Sequence, residues 1–347
     1  MAQEHVIRTY GTVACLLALC LGASAQSSAK LQLIGVGGTF PLPVYSKWFL
    51  ECERNHPAWE LRYLPAGSGE GIKQVSSGAA DFAGSDVPMT DREIAQAKVQ
   101  VMHFPTLLGA AVAIYNLPEL QGPPLRFTPQ ALSGIYLGTV KKWNHVAIAT
   151  VNPGVRLPSA NILVIHRNGA SGTSYIWTDY LAKISTQWKT QVGKGAEVNW
   201  PVGEGVTGNG GLADKVAQTP YAIGYVELAY AIRNHTPYAL VRNSAGNFIK
   251  ADLNSVTAAA ASTADSLPGD FRASITNAPG PHAYPISSFT WLLVPAKVAD
   301  SKKKAATKEV LRWMLTDGQH PSVESEFYAP LPDALVRREL RAIAKIR

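Results

Sequence analysis

Hydrophobic positions along the chain alternate between short continuous apolar runs and longer segments with apolar residues at helical spacing. The first pattern is typical of buried strands and the second of amphipathic helices. Strands are predicted at residues 31–37, 59–67 and 285–295, with a long apolar extended run at 99–116 and a strand-like run at 222–234. Helices are predicted at residues 43–57, 71–78, 173–191 and 302–318, the last with apolar Ala305, Val310, Leu311 and Met314.

This alternation favours an α/β fold with mainly parallel sheets, because continuous apolar strands are buried on both faces by helices. Residues 255–281 are rich in Ala, Ser, Asp, Gly and Pro and are predicted to form a loose loop with some helix. The chain has 347 residues, of which 46% are hydrophobic. That length is enough for two or three domains with packed cores.

The first 25 residues have the pattern of a secretory signal peptide. A polar start that contains Arg8 precedes an apolar run at residues 13–21, and Ala23 and Ala25 fit the A-x-A cleavage rule. Cleavage there would release an exported chain that begins at Gln26. The sequence therefore predicts an exported protein.

A membrane anchor is the alternative explanation of this segment. A spanning helix needs about 20 apolar residues, and the run is shorter. A lipid anchor would use Cys15 or Cys20, but neither has the context of a lipoprotein signal, because Cys20 follows Leu19 and the run before Cys15 is short. The mature chain keeps only one cysteine, Cys52, so it cannot form an intramolecular disulfide. Cys52 is expected to be a half-buried helix residue.

The formal net charge of +7 is compatible with a nucleic acid, an acidic membrane or a small anion as partner. The lysines at residues 302–304 and the arginines near the C-terminus are predicted to be solvated helix faces, so nucleic-acid binding is not expected. The eight histidines are scattered without metal-ligand spacing, so no metal is predicted.

Three loops rich in Gly, Ser or Thr lie at predicted strand-to-helix junctions, around Thr39, around Ser68 and at residues 168–174. The start of a helix leaves backbone N–H groups unpaired and carries partial positive charge, and glycine lets a ligand approach closely. Each loop taken alone is explained by helix capping. Three in one chain predict an anion site at the place where they converge.

Two charged residues stand beside such loops. Arg167 ends an apolar strand and could bind a phosphoryl oxygen through two N–H groups, with a surface arginine as the alternative. Asp86 ends a fourth loop of this kind, at residues 81–86. A carboxylate suits an anion site only if the ligand carries a proton that it can accept. Helix capping is the alternative for Asp86.

Longer motifs follow one another from residue 33 to near the C-terminus, namely GVGGTFPLPVYSKW, GSGEGIKQV, DFAGSDVPMT, FPTLLGAAVAIYN, IYLGTVKKWN, RNGASGTSYIWTDYLAK, VNWPVGEGVTGNGG, AIGYVELAYA and PISSFTWLL. This series closely resembles the periplasmic phosphate-binding subunits of bacterial phosphate ABC transporters, the PstS family. The resemblance covers almost all of the mature chain.

The resemblance implies a two-lobed periplasmic-binding-protein fold, a Venus flytrap of type II-like topology. Lobe one would comprise residues 31–115 and 287–347, and lobe two residues 116–286. It implies a monomeric solute-binding protein without a cofactor, not an enzyme. Such a protein captures inorganic phosphate, or nearly isosteric arsenate, and delivers it to the membrane permease subunits of an ABC importer.

The resemblance also implies the phosphate ligands. In lobe one they map onto Thr39, the backbone of Phe40, Ser68 and Asp86. In lobe two they map onto Arg167, Ser171, the backbone of Gly172 and Thr173.

Two positions depart from the family pattern. Gly169 replaces an aspartate that braces the arginine in many relatives, so a brace for Arg167 must come from elsewhere or be absent. Glu70 stands where small residues are usual, and it is expected to point away from the anion.

Two short motifs favour other functions. Residues 169–173 nearly match the G-x-S-x-G motif of serine hydrolases and fail at Thr173, while strand alternation is expected to point His166 away from Arg167. Residues 203–208 match G-x-G-x-x-G, with Glu227 at a plausible distance, but they follow Pro201 rather than a strand. A hydrolase is the main alternative, and dinucleotide binding is the weaker one.

Overall fold

Two sheets and their covering helices form the described part of the chain, which comprises residues 29–120, 122–263, 266–319 and 322–347 of a computed structural model. The predicted signal peptide lies outside these residues. In chain order the strands are β1 (Leu31–Gly37), β2 (Trp59–Leu64), β3 (Phe82–Ser85), β4 (Val101–Tyr115), β5 (Arg126–Phe127), β6 (Leu163–Arg167), β7 (Glu204–Val206), β8 (Ala222–Glu227), β9 (Leu240–Arg242), β10 (Phe248–Ile249) and β11 (Ser287–Pro295).

Helices alternate with these strands as the hydrophobic pattern predicts. They are α1 (Leu42–Asn55), α2 (Ser68–Ser77), α3 (Asp91–Gln96), α4 (Pro129–Tyr136), α5 (Val146–Ala149), α6 (Gly172–Ile184), α7 (Thr186–Gln191), α8 (Asn209–Gln218), α9 (Leu228–Arg233), α10 (Leu253–Ala261), α11 (Ser301–Leu315), α12 (Ser322–Ser325) and α13 (Asp333–Ile343). None of the described helices is both long and apolar enough to cross a membrane.

The large sheet has eight strands in the order β2-β1-β3-β11-β4-β8-β6-β7, and β10-β9-β5 form a small one. Strands β1 to β3 pair in parallel, as do β6, β7 and β8. The central pairs β3–β11, β11–β4 and β4–β8 are antiparallel. The expectation of a mainly parallel sheet is therefore wrong at its centre, because β11 returns to the sheet from a long segment and not from a βαβ crossover.

Strand β4 joins two halves of this sheet. Residues from Val101 to Ala110 pair with β11, whereas residues from Ala111 to Tyr115 pair with β8. We call the part built on β2, β1, β3 and β11 the first half, and the part built on β8, β6 and β7 the second half. One continuous buried strand thus connects them, which is why the run at residues 99–116 is apolar throughout.

A bulge accommodates a proline inside β4. Pro105 lies opposite Trp291, Leu107 lies opposite Thr290, and the register shifts between them. Proline has no N–H for the ladder, so a bulge is one of the few places where a sheet tolerates it. At this shift the Thr106 hydroxyl donates a hydrogen bond to the backbone oxygen of Thr290, at 3.2 Å.

Three local predictions need correction. The run at residues 222–234 is strand only as far as Glu227. The Glu227 side chain caps the following helix α9 by accepting a hydrogen bond from the Ala229 N–H. Ala305 is exposed on α11 although Val310, Leu311 and Met314 are buried. Cys52 is fully buried on α1, not half-buried, and burial raises the pKa of its thiol to about 12.

Candidate functional site

The starts of several helices meet between the two halves. Ser68 begins α2 in the first half, and Ser171 caps α6 in the second half by accepting a hydrogen bond from the Ser174 N–H. Gly172 lies so close to the first half that a Cβ atom there would overlap Ser68 Oγ and Asp86 Oδ2. The Gly69 N–H donates to the Ala170 carbonyl across the same junction, at 3.1 Å. Gly38, beside Thr39, is similarly close to Asp86 and Ser68, so the three predicted anion loops converge.

The Asp86 carboxylate is buried at the end of β3. The Thr290 hydroxyl donates to its Oδ1 at 2.6 Å, and the Ser68 hydroxyl lies 3.4 Å from its Oδ2. Burial raises the pKa of Asp86 to about 7, and the hydrogen bonds from Thr290 and Ser68 and the charge of Arg167 limit the rise. The helix-cap alternative is wrong, because Thr90 caps α3 with a capping box.

Arg167 is buried at the end of β6, with 5% of its surface exposed. Its backbone N–H donates to the Tyr225 hydroxyl at 3.1 Å, whereas its side-chain Nε has no hydrogen-bond partner among the described residues. Burial lowers the pKa of Arg167, and nearby Tyr225 and Asp86 oppose that shift. A buried guanidinium with an unpaired N–H is costly unless a ligand completes its bonds.

Aromatic packing holds the strand that carries Arg167. Tyr225 on β8 stacks on Trp177 and on Trp200, with ring centroids 5.0 and 5.7 Å apart. His166 stacks on Trp200 with ring centroids 4.8 Å apart, so its ring packs among these aromatic residues. The Tyr225 hydroxyl, shared with Ser174 Oγ at 2.7 Å, fixes the backbone of Arg167.

A cavity of about 290 Å³ opens at this junction. Thr39 and residues 65–67 line it from the first half, and residues 167–170 with Thr207 and Gly208 line it from the second half. Of the predicted ligands, Thr39 and Arg167 line this cavity. Ser68, Asp86, Gly172 and Thr173 do not line it and are buried. A larger and mostly apolar groove of about 520 Å³ beside β6 is lined by none of them.

Phe40, predicted as a backbone ligand, lies in the loop between β1 and α1. The Tyr328 hydroxyl donates to its carbonyl and lies 2.9 Å from Glu227 Oε2, and Tyr230 donates to the Thr39 carbonyl at 2.7 Å. These contacts hold the backbone of the loop between β1 and α1 in place.

Sequence reasoning missed two residues that complete the site. Thr290 on β11 donates to Asp86, and Asn209 at the start of α8 bonds Thr39 and Thr173. Thr290 reaches Asp86 because β11 pairs with β3, which only the topology reveals. Asn209 directly follows the glycine-rich residues 203–208. That motif is the sequence feature that could have indicated Asn209, but it was interpreted only as a possible dinucleotide-binding motif.

The two departures from the family pattern have different outcomes. Glu70 accepts hydrogen bonds from Gln74 and Lys73 on its own helix α2, and it does not line the cavity at the junction. No acidic side chain forms an ion pair with Arg167 in the described part of the chain. Gly169 has φ of +72° and no heavy atom within 4 Å of a Cβ placed there. The bracing carboxylate is thus absent, with space where it would stand.

Gly169→Asp should change phosphate affinity several-fold while the fold is retained. Aspartate tolerates the left-handed conformation better than most residues, and no atom would clash with it. The new carboxylate would pair with the Arg167 guanidinium and reduce the positive field. Calorimetry against Gly169→Asn, which has the same shape without the charge, isolates that effect. Equal affinities for wild type and both variants would show that position 169 does not act on Arg167.

Proteins with similar sequences identify the family of this chain. The PBP superfamily domain matches residues 22–318. The phosphate-binding protein PstS of Xylella fastidiosa is 36% identical over 315 residues, covering 91% of this chain and 85% of that protein. The chain belongs to the PstS family. The PstS of Haemophilus influenzae is 37% identical and covers 92% of this chain and 94% of that protein.

Solved structures share the fold of this PstS family member. A periplasmic phosphate-binding protein, PfluDING, bound with phosphate aligns with a TM-score of 0.70 at 19% identity, over 90% of this chain and 93% of that one. A putative phosphate ABC transporter substrate-binding protein of Clostridium perfringens with bound phosphate aligns with a TM-score of 0.63 at 16% identity, over 87% of this chain and all of that one. The periplasmic-binding-protein fold predicted from sequence is confirmed.

Proposed function

We propose that this protein captures inorganic phosphate between its two halves and delivers it to an ABC importer. The observation that carries the proposal is the buried Arg167, whose Nε lacks a partner, at a junction where helix starts converge. The positive groups favour an anion. The nearby Asp86 favours an anion that carries a proton. Phosphate near neutral pH has both properties, and the PstS relatives are named as phosphate-binding proteins.

The proposed ligands divide between donors and one acceptor. Donors are the hydroxyl groups of the Ser and Thr residues, the Arg167 guanidinium and the backbone N–H groups of Phe40 and Gly172. The acceptor is the ionised Asp86 carboxylate, which has no donor of its own. Together with the two backbone positions, the side chains in this set are Thr39, Ser68, Asp86, Arg167, Ser171 and Thr173.

Thermal unfolding tests the proposal. A ligand that binds only the folded state stabilises it by about 2.7 kcal/mol at one hundred times its Kd. Phosphate should therefore raise Tm by several degrees at concentrations where sulfate leaves Tm unchanged. An equal shift with both anions would indicate a general anion effect and would contradict the proposed specificity.

The two halves would act as the lobes of a clamp, with lobe one at residues 31–115 and 287–347 and lobe two at residues 116–286. Ligands on both lobes favour the closed form, because phosphate contacts both sets only when the lobes meet. Small-angle scattering should show a smaller radius of gyration with phosphate than without. A radius that is equal in both states, in protein stripped of phosphate, would contradict ligand-driven closure.

Export and partners follow from the same proposal. The signal-like residues 1–25 support export to the periplasm. The proposed protein is a monomer that meets the permease subunits of an importer, and arsenate should bind because it is nearly isosteric with phosphate. N-terminal sequencing of secreted protein should begin at Gln26. A lipidated cysteine at the N-terminus would overturn that expectation.

We also propose that the protein binds its ligand without catalysing a reaction. Ser171 Oγ accepts a hydrogen bond from the Ser174 N–H, and none of the described side chains bonds to it as a base. Among the described residues, no cluster of three or more His, Cys, Asp or Glu could hold a metal ion. Turnover of a chromogenic phosphate ester that is lost in Ser171→Ala would instead support the hydrolase.

A further inference from the structure

Asn209 is a fully buried residue at the start of α8 that bonds both halves of the molecule. Its Nδ2 donates to Thr39 Oγ1 at 3.0 Å in the first half and to Thr173 Oγ1 at 3.1 Å in the second half. Its backbone N–H also donates to Thr39 Oγ1, at 3.2 Å. Its Oδ1 accepts from the Glu227 N–H at 3.3 Å. Every polar atom of this side chain is therefore used.

The bonds from Asn209 determine what the Thr39 hydroxyl can do. A hydroxyl group has two lone pairs and one proton. Asn209 occupies both lone pairs, one through its backbone N–H and one through Nδ2. The proton of Thr39 has no acceptor among the hydrogen bonds of the described residues, and Thr39 lines the cavity between the halves. Its O–H is consequently left to donate into that cavity.

We infer that Asn209 is a positioning residue, which makes Thr39 a donor-only group toward the bound anion and ties it to the second half. This inference rests on the proposed function. Asp86 can only accept when ionised, and Thr39 can only donate. A phosphate between them must therefore present its protonated oxygen to Asp86 and a bare oxygen to Thr39. Asn209 would act on affinity and ligand orientation without touching the ligand.

A purely structural role for Asn209 predicts something different. The first N–H groups of a helix need acceptors, and Gly208 before α8 has no side chain to supply one. Thr39 could serve only to satisfy that need. Loss of the Asn209 side chain would then lower stability, but its effect on phosphate binding would not depend on the Thr39 hydroxyl. Coupling between the two residues in binding separates the roles.

A double-mutant cycle measured by calorimetry with inorganic phosphate tests the inference. Asn209→Ala should weaken binding about tenfold and Thr39→Val about tenfold to hundredfold, since hydrogen bonds to charged groups contribute in this range. The double variant should bind clearly more tightly than the product of the two single effects implies, because Asn209 acts in part through the Thr39 hydroxyl and in part through Thr173. A double variant weakened by the product of the two single effects would overturn the inference.

Asn243 is the matched control. It is also buried, between β9 and β10 of the small sheet, and its Nδ2 donates to the carbonyl groups of Gly280 and Ala283, far along the chain from the predicted ligands. Asn243→Ala should lower the Tm of the unliganded protein yet leave phosphate affinity within about twofold. If Asn209→Ala does not fold, Asn209→Ser keeps a small polar residue at the helix start and completes the same cycle.

The outcomes separate this inference from the proposed function. Wild-type protein that gives no heat with phosphate would refute the proposed function and remove the ligand that the inference needs. Wild-type binding with independent effects of the two substitutions would refute the role of Asn209 alone. Wild-type binding with the coupled effects supports both.

Discussion

Arg167→Ala should weaken phosphate binding by about 10²-fold or more. A charge-assisted hydrogen bond contributes roughly 1.5–3 kcal/mol, and one guanidinium can make two of them to a phosphoryl group. Since about 1.4 kcal/mol corresponds to tenfold, losing both accounts for this effect. The Arg167 Nε has no hydrogen-bond partner among the described residues, and a bound phosphate would supply one. Calorimetry with phosphate measures the loss.

Two further variants make that result interpretable. Arg167→Lys keeps the charge but not the planar pair of donors, so its affinity should fall between those of wild type and the alanine variant. Arg242→Ala removes an exposed arginine on β9 and should leave affinity unchanged. A folded Arg167→Ala variant with wild-type affinity would remove Arg167 from the site.

Asp86→Asn should narrow the preference for phosphate over sulfate, which carries no proton near neutral pH. Facing sulfate, the ionised Asp86 meets bare oxygens in a closed cleft and suffers like-charge repulsion, a mismatch of several kcal/mol. The amide of the variant has donors and no charge, so it accepts sulfate more readily. Competition titrations on both proteins measure the ratio. An identical ratio would assign the selectivity elsewhere.

The pH dependence of this selectivity has a definite sign. The pKa of Asp86 is raised to about 7 in the unliganded protein, so the carboxyl group becomes neutral as the pH falls through that value. Sulfate should then compete better with phosphate below pH 7 in wild type. Because the variant cannot titrate at this position, the trend in Asp86→Asn should be weaker and limited to the part that comes from the titration of phosphate itself. A selectivity independent of pH in wild type would contradict the assignment.

Much of the secondary structure could be predicted because local patterns determine it. The apolar runs that became β1, β4 and β11 are buried throughout most of their length, and prolines and glycines mark where α1 and α2 begin. The division of residues 222–234 into β8 and α9 could not be predicted by periodicity. It depends on the Glu227 side chain, which caps α9 from a buried position.

The site could be predicted from sequence only as separate loops. Each loop shows its helix-start chemistry locally, but its meeting with the others depends on sheet order. The N-terminal loop after β1 lies near the loop after β6 because β4 joins the two halves of one sheet. For that reason the sequence alone did not indicate that Thr290 and Asn209 belong to the site. The role of a buried threonine in a strand depends on which residues the sheet order places beside it. The same is true of an asparagine that follows glycines.

The central claim is that phosphate binds specifically between the two halves. Calorimetric titration of the mature protein with phosphate and then with sulfate tests it most directly. We expect one phosphate per chain and no heat from sulfate at concentrations where phosphate saturates. Comparable binding of the two anions, or binding of neither, would contradict the account.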